Sequence, residues 1–155
     1  MQSISPMLLV DGYKVGHVFQ YPEDTTFVYS NLTARKPHNA PPGDGVVFFG
    51  LQFFLRRMHE AFDADFFALK RVDVVNEYKR VMDAYLGPGA IPTYHIEALH
   101  EHGKLPILVK ALPEGSVVPY GVPMLTICNT DPRFFWVTNM LETWLSSVVW
   151  KACTS

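Results

Sequence analysis

The stretch MLLVDGYKVGH brings a carboxylate, an aromatic ring, an ammonium and an imidazole together in Asp11, Tyr13, Lys14 and His17. Such a set could form a ligand-facing edge, able to stack on a planar group and to meet charge of either sign. Tyr13 and His17, four residues apart, would share one face of a helical turn. Asp11 follows the apolar run Met7–Val10, which reads as a short strand or the approach to a helix. It suits an N-cap there, its carboxylate accepting backbone N–H groups. Spacing alone favours the plainer reading, an ordinary capped helix start with solvated polar groups. Gly12 and Gly16 weaken that helix, so docking must hold it.

Arg35 and Lys36 stand between a strand-like stretch and the Pro- and Gly-rich PHNAPPGDG loop. A guanidinium there could engage two phosphate oxygens at once, although a solvated basic pair is the commoner outcome. His95, His100 and His102, with Glu97 and Glu101, suggest a metal, but the histidine spacings are five and two. Two imidazoles on one helical face need an i, i+4 pair. A solvated helix end is therefore expected, and no metal site in this chain. PPGDG lacks the Lys-Ser/Thr of a P-loop, and neither GxSxG nor GxGxxG occurs. Cys128 and Cys153 form no CxxC pair and read as reduced, buried thiols of a cytoplasmic protein.

The elements that must position these residues follow from periodicity. Thr25–Thr33 has the β-branched and aromatic content of a strand. VVFFGLQFFLRRMHEAF begins strand-like and turns helical, with Leu51, Phe54, Leu55 and Met58 forming a stripe. Val72–Leu86 is a second amphipathic helix and Thr93–His102 a third, ending at Gly103. From Leu105 the period changes to two, and three short strands separated by PEG and PYG turns predict a compact β-module around 105–130. Asp131-Pro132 starts a last helix, FFWVTNMLETWLSSVVW, apolar on nearly all sides. Nothing after it in the sequence could bury it, so the architecture reads as unfinished, with self-association expected through Phe135, Trp136 and Trp144.

The chain of 155 residues suits a single domain, 1–155, of the α+β class. With 48% apolar, 14% aromatic and 18% charged residues, the composition is that of a soluble globular protein. Low charge beside many aromatics points towards an oligomer. The net charge of −2 and the absence of a basic stripe argue against a nucleic-acid partner. The last helix, which carries Asn139 and Glu142, is too short and polar for a membrane span. The N-terminus lacks the basic start and apolar core of a signal peptide.

Five stretches, in order and at similar spacing, resemble the N-terminal portion of the nicotinamide phosphoribosyltransferase family: DGYKVGH with QYP, VYSNLTAR, VVFFGLQFFL, LPILVKALPEGSVVPYG and NTDPRFFWVTNMLETWL. The resemblance implies a homodimeric pentosyltransferase of NAD biosynthesis. It would transfer phosphoribosyl from phosphoribosyl pyrophosphate to nicotinamide, with Mg²⁺ as helper in the complete enzyme and none bound by this chain alone. It implies that Asp11 and Tyr13 line the nicotinamide site from across the dimer interface, Tyr13 stacking on the ring, and that Arg35 holds the ribose-linked phosphate. Lys14 and His17 belong to the motif without an assigned step. The family's α/β barrel is absent from this chain, which on this reading is inactive alone. It would be half of a split enzyme, or a non-catalytic binding domain or truncated fragment that pairs with a barrel-containing subunit. Gly12 and Gly16 replace larger residues usual in the motif, and Tyr120 stands where a basic residue can occur.

Overall fold

A computed structural model describes residues 4–39 and 44–154, so that Pro41, Pro42 and Gly43 of the PPGDG stretch lie outside the described residues. Of the two readings of Met7–Val10, the approach to a helix holds: a 3₁₀ turn at Pro6–Leu8 is followed by a 3₁₀ helix at Gly12–Phe19. Then come β1 (Tyr29–Thr33), β2 (Gly45–Val47), α1 (Leu51–Phe62), a π-helical turn (Asp63–Phe67), α2 (Arg71–Leu86) and α3 (Tyr94–His102). The chain continues through β3 (Ile107–Ala111), β4 (Val117–Pro119) and β5 (Pro123–Asn129), and after a 3₁₀ turn at Pro132–Phe134 it ends in α4 (Val137–Thr154). The class is α+β, with small antiparallel sheets and no closed barrel among the described residues.

Strand and helix signals land where periodicity puts them. The α1 stripe of Leu51, Phe54 and Met58 is buried, with Leu55 packed at its edge. Val74, Tyr78 and Met82 form the buried face of α2. The strand expected over Thr25–Thr33 is shorter, beginning at Tyr29. Its first half is held instead by buried Asn129, whose side chain accepts the Val28 N–H at 2.8 Å and donates to the Thr26 carbonyl at 2.9 Å. A side chain has taken the place of a ladder partner.

The three strands after Leu105 are present, and Gly115 and Gly121 supply the positive φ of +89° and +83° that their turns require. The strands divide between two sheets. One has the order β1-β5-β3, with Leu32 opposite Leu125 and Val109 opposite Ile127. The other pairs β4 with β2 through Val118 and Val46.

Helix α4 corrects the expectation that nothing in the chain could bury it. It packs against α1, β1, β2, β5 and the Gly12–Phe19 helix, and it buries Val137, Thr138, Met140, Leu141, Leu145, Val149 and Cys153. The preceding elements thus cover most of its apolar girth. The expected association anchors are largely used up in the same way. Trp136 is only 3% exposed, Trp144 meets Phe54 edge-on at 5.5 Å, and Phe135 meets Tyr21 at 5.2 Å. Large apolar side chains left exposed include Tyr13, Phe27, Tyr29, Phe49, Phe53 and Val117. Among the described residues no helix is long and apolar enough to cross a membrane.

Candidate functional site

The Gly12–Phe19 helix winds as a 3₁₀ helix, in which residues three apart lie in one row. Asp11, Lys14 and His17 form such a row, and it lies against α4. Each member finds a partner there. The Lys14 Nζ donates to Glu142 Oε2 at 2.7 Å and to Thr143 Oγ1 at 3.3 Å, and it lies 3.2 Å from Asp11 Oδ2. Thr143 Oγ1 donates to Asp11 Oδ2 at 2.7 Å and accepts the Asp11 backbone N–H at 3.1 Å. Asn139 Nδ2 donates to His17 Nδ1 at 2.8 Å. The first and last of the family-like stretches therefore meet side chain to side chain.

Asp11 precedes the helix as its N-cap residue, but its carboxylate makes no cap hydrogen bond. The expected capping role is corrected: Thr143 and Lys14 are better donors, one of them charged, and they have drawn the carboxylate to α4. The Thr143 hydroxyl and the Lys14 ammonium hold the Asp11 carboxyl below its usual range. Burial lowers the proton affinity of the Lys14 ammonium, and the Glu142 and Asp11 carboxylates outweigh that and leave it raised. The ammonium side chain is 3% exposed, whereas Asp11 and Glu142 are 42% and 54% exposed. Lys14 is thus a buried cation beneath two half-open anions.

Tyr13 lies on the next row and points outward, 66% exposed. His17 meets its ring edge-on, with centroids 5.3 Å apart, and Lys14 Nζ lies 5.6 Å from the ring centre. Tyr13 and His17 touch, but the 3₁₀ winding puts them on adjacent rows and not on the one face expected of an α-helical turn. Arg35 is exposed two residues beyond β1 and forms no ion pair with any described residue. Asp11 and Tyr13 are brought together; no contact joins Arg35 to them. A cleft of about 320 Å³ does run from β1, at Ser30, Asn31 and Leu32, to Glu142 on α4. Arg35 does not line that cleft.

Sequence reasoning missed Asn139, Glu142 and Thr143 as partners of the first motif. Their signal was present: three polar groups at i, i+3 and i+4 share one face of the helix. Gly16 leaves open space, because a Cβ there would meet only Gln20 Nε2 at 3.7 Å. Tyr120 packs its ring against the core.

The histidine cluster disperses. His95 sits buried among Phe19, Tyr78, Tyr94 and Trp136, and neither ring nitrogen has a hydrogen-bond partner among the described residues. Burial pushes its imidazole down to about 4. His100 Nε2 lies 3.0 Å from the Leu69 carbonyl, Glu97 accepts from Thr93, and Glu101 pairs with Arg71. Among the described residues no group of three or more His, Cys, Asp or Glu side chains could hold a metal ion. The Mg²⁺ implied by resemblance does not fit the carboxylates present, since Asp11 and Glu142 are already engaged with Lys14.

The chain is 47% identical over 157 residues to a nicotinamide phosphoribosyltransferase of Acinetobacter baylyi, covering 98% of this chain and 31% of that protein. It is 32% identical over 142 residues to one of Xanthomonas campestris, covering 92% and 28%. The chain therefore spans about a third of the length of these relatives. Its fold is similar to part of human nicotinic acid phosphoribosyltransferase, with a TM-score of 0.63 at 24% identity over 94% of this chain and 26% of that one. Residues 5–109 match the family described as nicotinamide phosphoribosyltransferase, N-terminal domain, and the chain belongs to that family.

Proposed function

We propose that this domain forms one wall of a composite site that transfers phosphoribosyl from phosphoribosyl pyrophosphate to nicotinamide, in NAD biosynthesis. In that reaction the lone pair of the pyridine nitrogen forms the bond to the anomeric carbon. The bond to the pyrophosphate oxygen breaks, and pyrophosphate leaves with its electron pair. No proton need move, so catalysis rests on positioning the ring nitrogen and stabilising the leaving charge. Tyr13 stacks on the pyridine ring, an interaction worth about 0.5–1.5 kcal/mol beyond area burial by analogy with aromatic pairs. Asp11 lines the same pocket, and Arg35 grips the phosphate in bidentate fashion. These residues act across an interface, in a homodimer or with a barrel-containing subunit that completes the site. Mg²⁺ belongs to the complete enzyme and is not held here.

The observation that carries the reading is Tyr13: a large ring left two-thirds exposed while its neighbour Lys14 is buried and fixed by two carboxylates. The test is a hybrid in which this chain replaces the matching first third of the Acinetobacter baylyi relative. Formation of nicotinamide mononucleotide from labelled nicotinamide and phosphoribosyl pyrophosphate is expected. A folded hybrid without product would overturn the proposal. Two readings differ on the chain as it stands. A regulatory domain would alter turnover when added to the intact relative, and a lending half would not.

A further inference from the structure

Resting on that reading of Tyr13, we propose that Lys14 and Glu142, with Asn139 and Thr143, are positioning residues that lock the DGYKVGH segment onto α4 and so set where the Tyr13 ring stands. The Gly12–Phe19 helix cannot hold its own shape. Runs of 3₁₀ helix beyond a few residues are uncommon, and Gly12 and Gly16 weaken it further. Its geometry must be imposed from outside, and the contacts show how. On a helix with three residues per turn, Asp11, Lys14 and His17 stack in one row facing α4; in an α-helix each such step would fall about 60° short of a full turn. The row's partners, Asn139, Glu142 and Thr143, lie on one face of α4. The three-residue winding is what lets all three links close together.

The lock reaches the ring itself. His17, held by Asn139, meets Tyr13 edge-on, and the Lys14 ammonium approaches the same ring. Two of the three anchored side chains thus flank the ring proposed to stack on substrate. Glu142 also lines the cleft that leads to β1.

The experiment uses Glu142→Gln, which keeps shape and removes charge, and Asn139→Ala, which cuts only the His17 arm. Asp83→Asn, on an exposed α2 pair with Lys79, is the control. In the full chain, the nuclear Overhauser contact between the Tyr13 and His17 rings should be lost or halved in both variants while the fold persists. In the hybrid enzyme, KM for nicotinamide should rise about tenfold with kcat little changed. A merely structural role would lower the melting temperature and leave the ring contact in place. An undisturbed contact in both folded variants would overturn the proposal. So would a lost contact with unchanged KM in a hybrid where Tyr13→Ala raises it. Should Glu142→Gln fail to fold, Asn139→Ala decides alone. A hybrid without turnover would count against the proposed function only, and the ring contact would then decide the lock.

Discussion

At the scale of single residues, Lys14 organises the first motif because its charge is buried and its partners are not. Removing the carboxylate should therefore hurt more than removing the ammonium. Glu142→Gln leaves a buried cation undercompensated and should cost about 1–3 kcal/mol, whereas Lys14→Met fills the same space and leaves Glu142 to water, at a smaller cost. Urea denaturation midpoints check the order. His95 makes a second prediction. Its imidazole falls from 6.5 in the unfolded chain to about 4 in the fold, so the unfolded state binds the extra proton between those values. Stability is full above pH 6.5 and declines as pH falls towards 4, by up to about 3 kcal/mol. His95→Phe should flatten that slope, as denaturation at stepped pH would show. Asp11, Tyr13 and His17 were legible as a cluster from residue type and spacing. The partner of Lys14 was not, because Glu142 lies 128 residues away and no local period carries such a pairing.

At the scale of elements, helix stripes were readable because one face of α1 and of α2 alternates with polar residues at a fixed period. Strand pairing was less so. The PEG and PYG turns on either side mark β4 as a strand, but do not show that it would pair with β2 across a separation of some 70 residues. The short β1 was hidden for another reason: the Asn129 side chain, not a propensity, ends the ladder at Tyr29. Glycine substitutions separate conformation from space. Gly50 precedes α1 at φ +91°, and a Cβ there would lie 2.7 Å from Ala152 Cβ on α4. Gly50→Ala should destabilise by about 1–3 kcal/mol through backbone strain and a pushed-apart α1–α4 contact. Gly16→Ala, in open space, should be neutral or stabilise by up to about 1 kcal/mol. Thermal midpoints of the two variants should move in opposite directions or differ widely.

At the scale of the whole molecule, the all-round apolar pattern of α4 was visible in the sequence, and what covers it was not. Composition cannot tell a helix wrapped by its own domain from one awaiting a partner, and here β1, β2, β5 and α1 do the wrapping. Trp136→Ala should therefore act as a core truncation, costing about 3–5 kcal/mol at any protein concentration, which unfolding at two dilutions would establish. The chain's proposed role is to present Tyr13 to a ring and Arg35 to a phosphate, while other residues complete the pocket. The most direct test compares Tyr13→Ala and Arg35→Ala in the hybrid enzyme. Tyr13→Ala should raise KM for nicotinamide about tenfold and spare that for phosphoribosyl pyrophosphate, and Arg35→Ala should do the reverse. Two folded variants with wild-type constants for both substrates would contradict it.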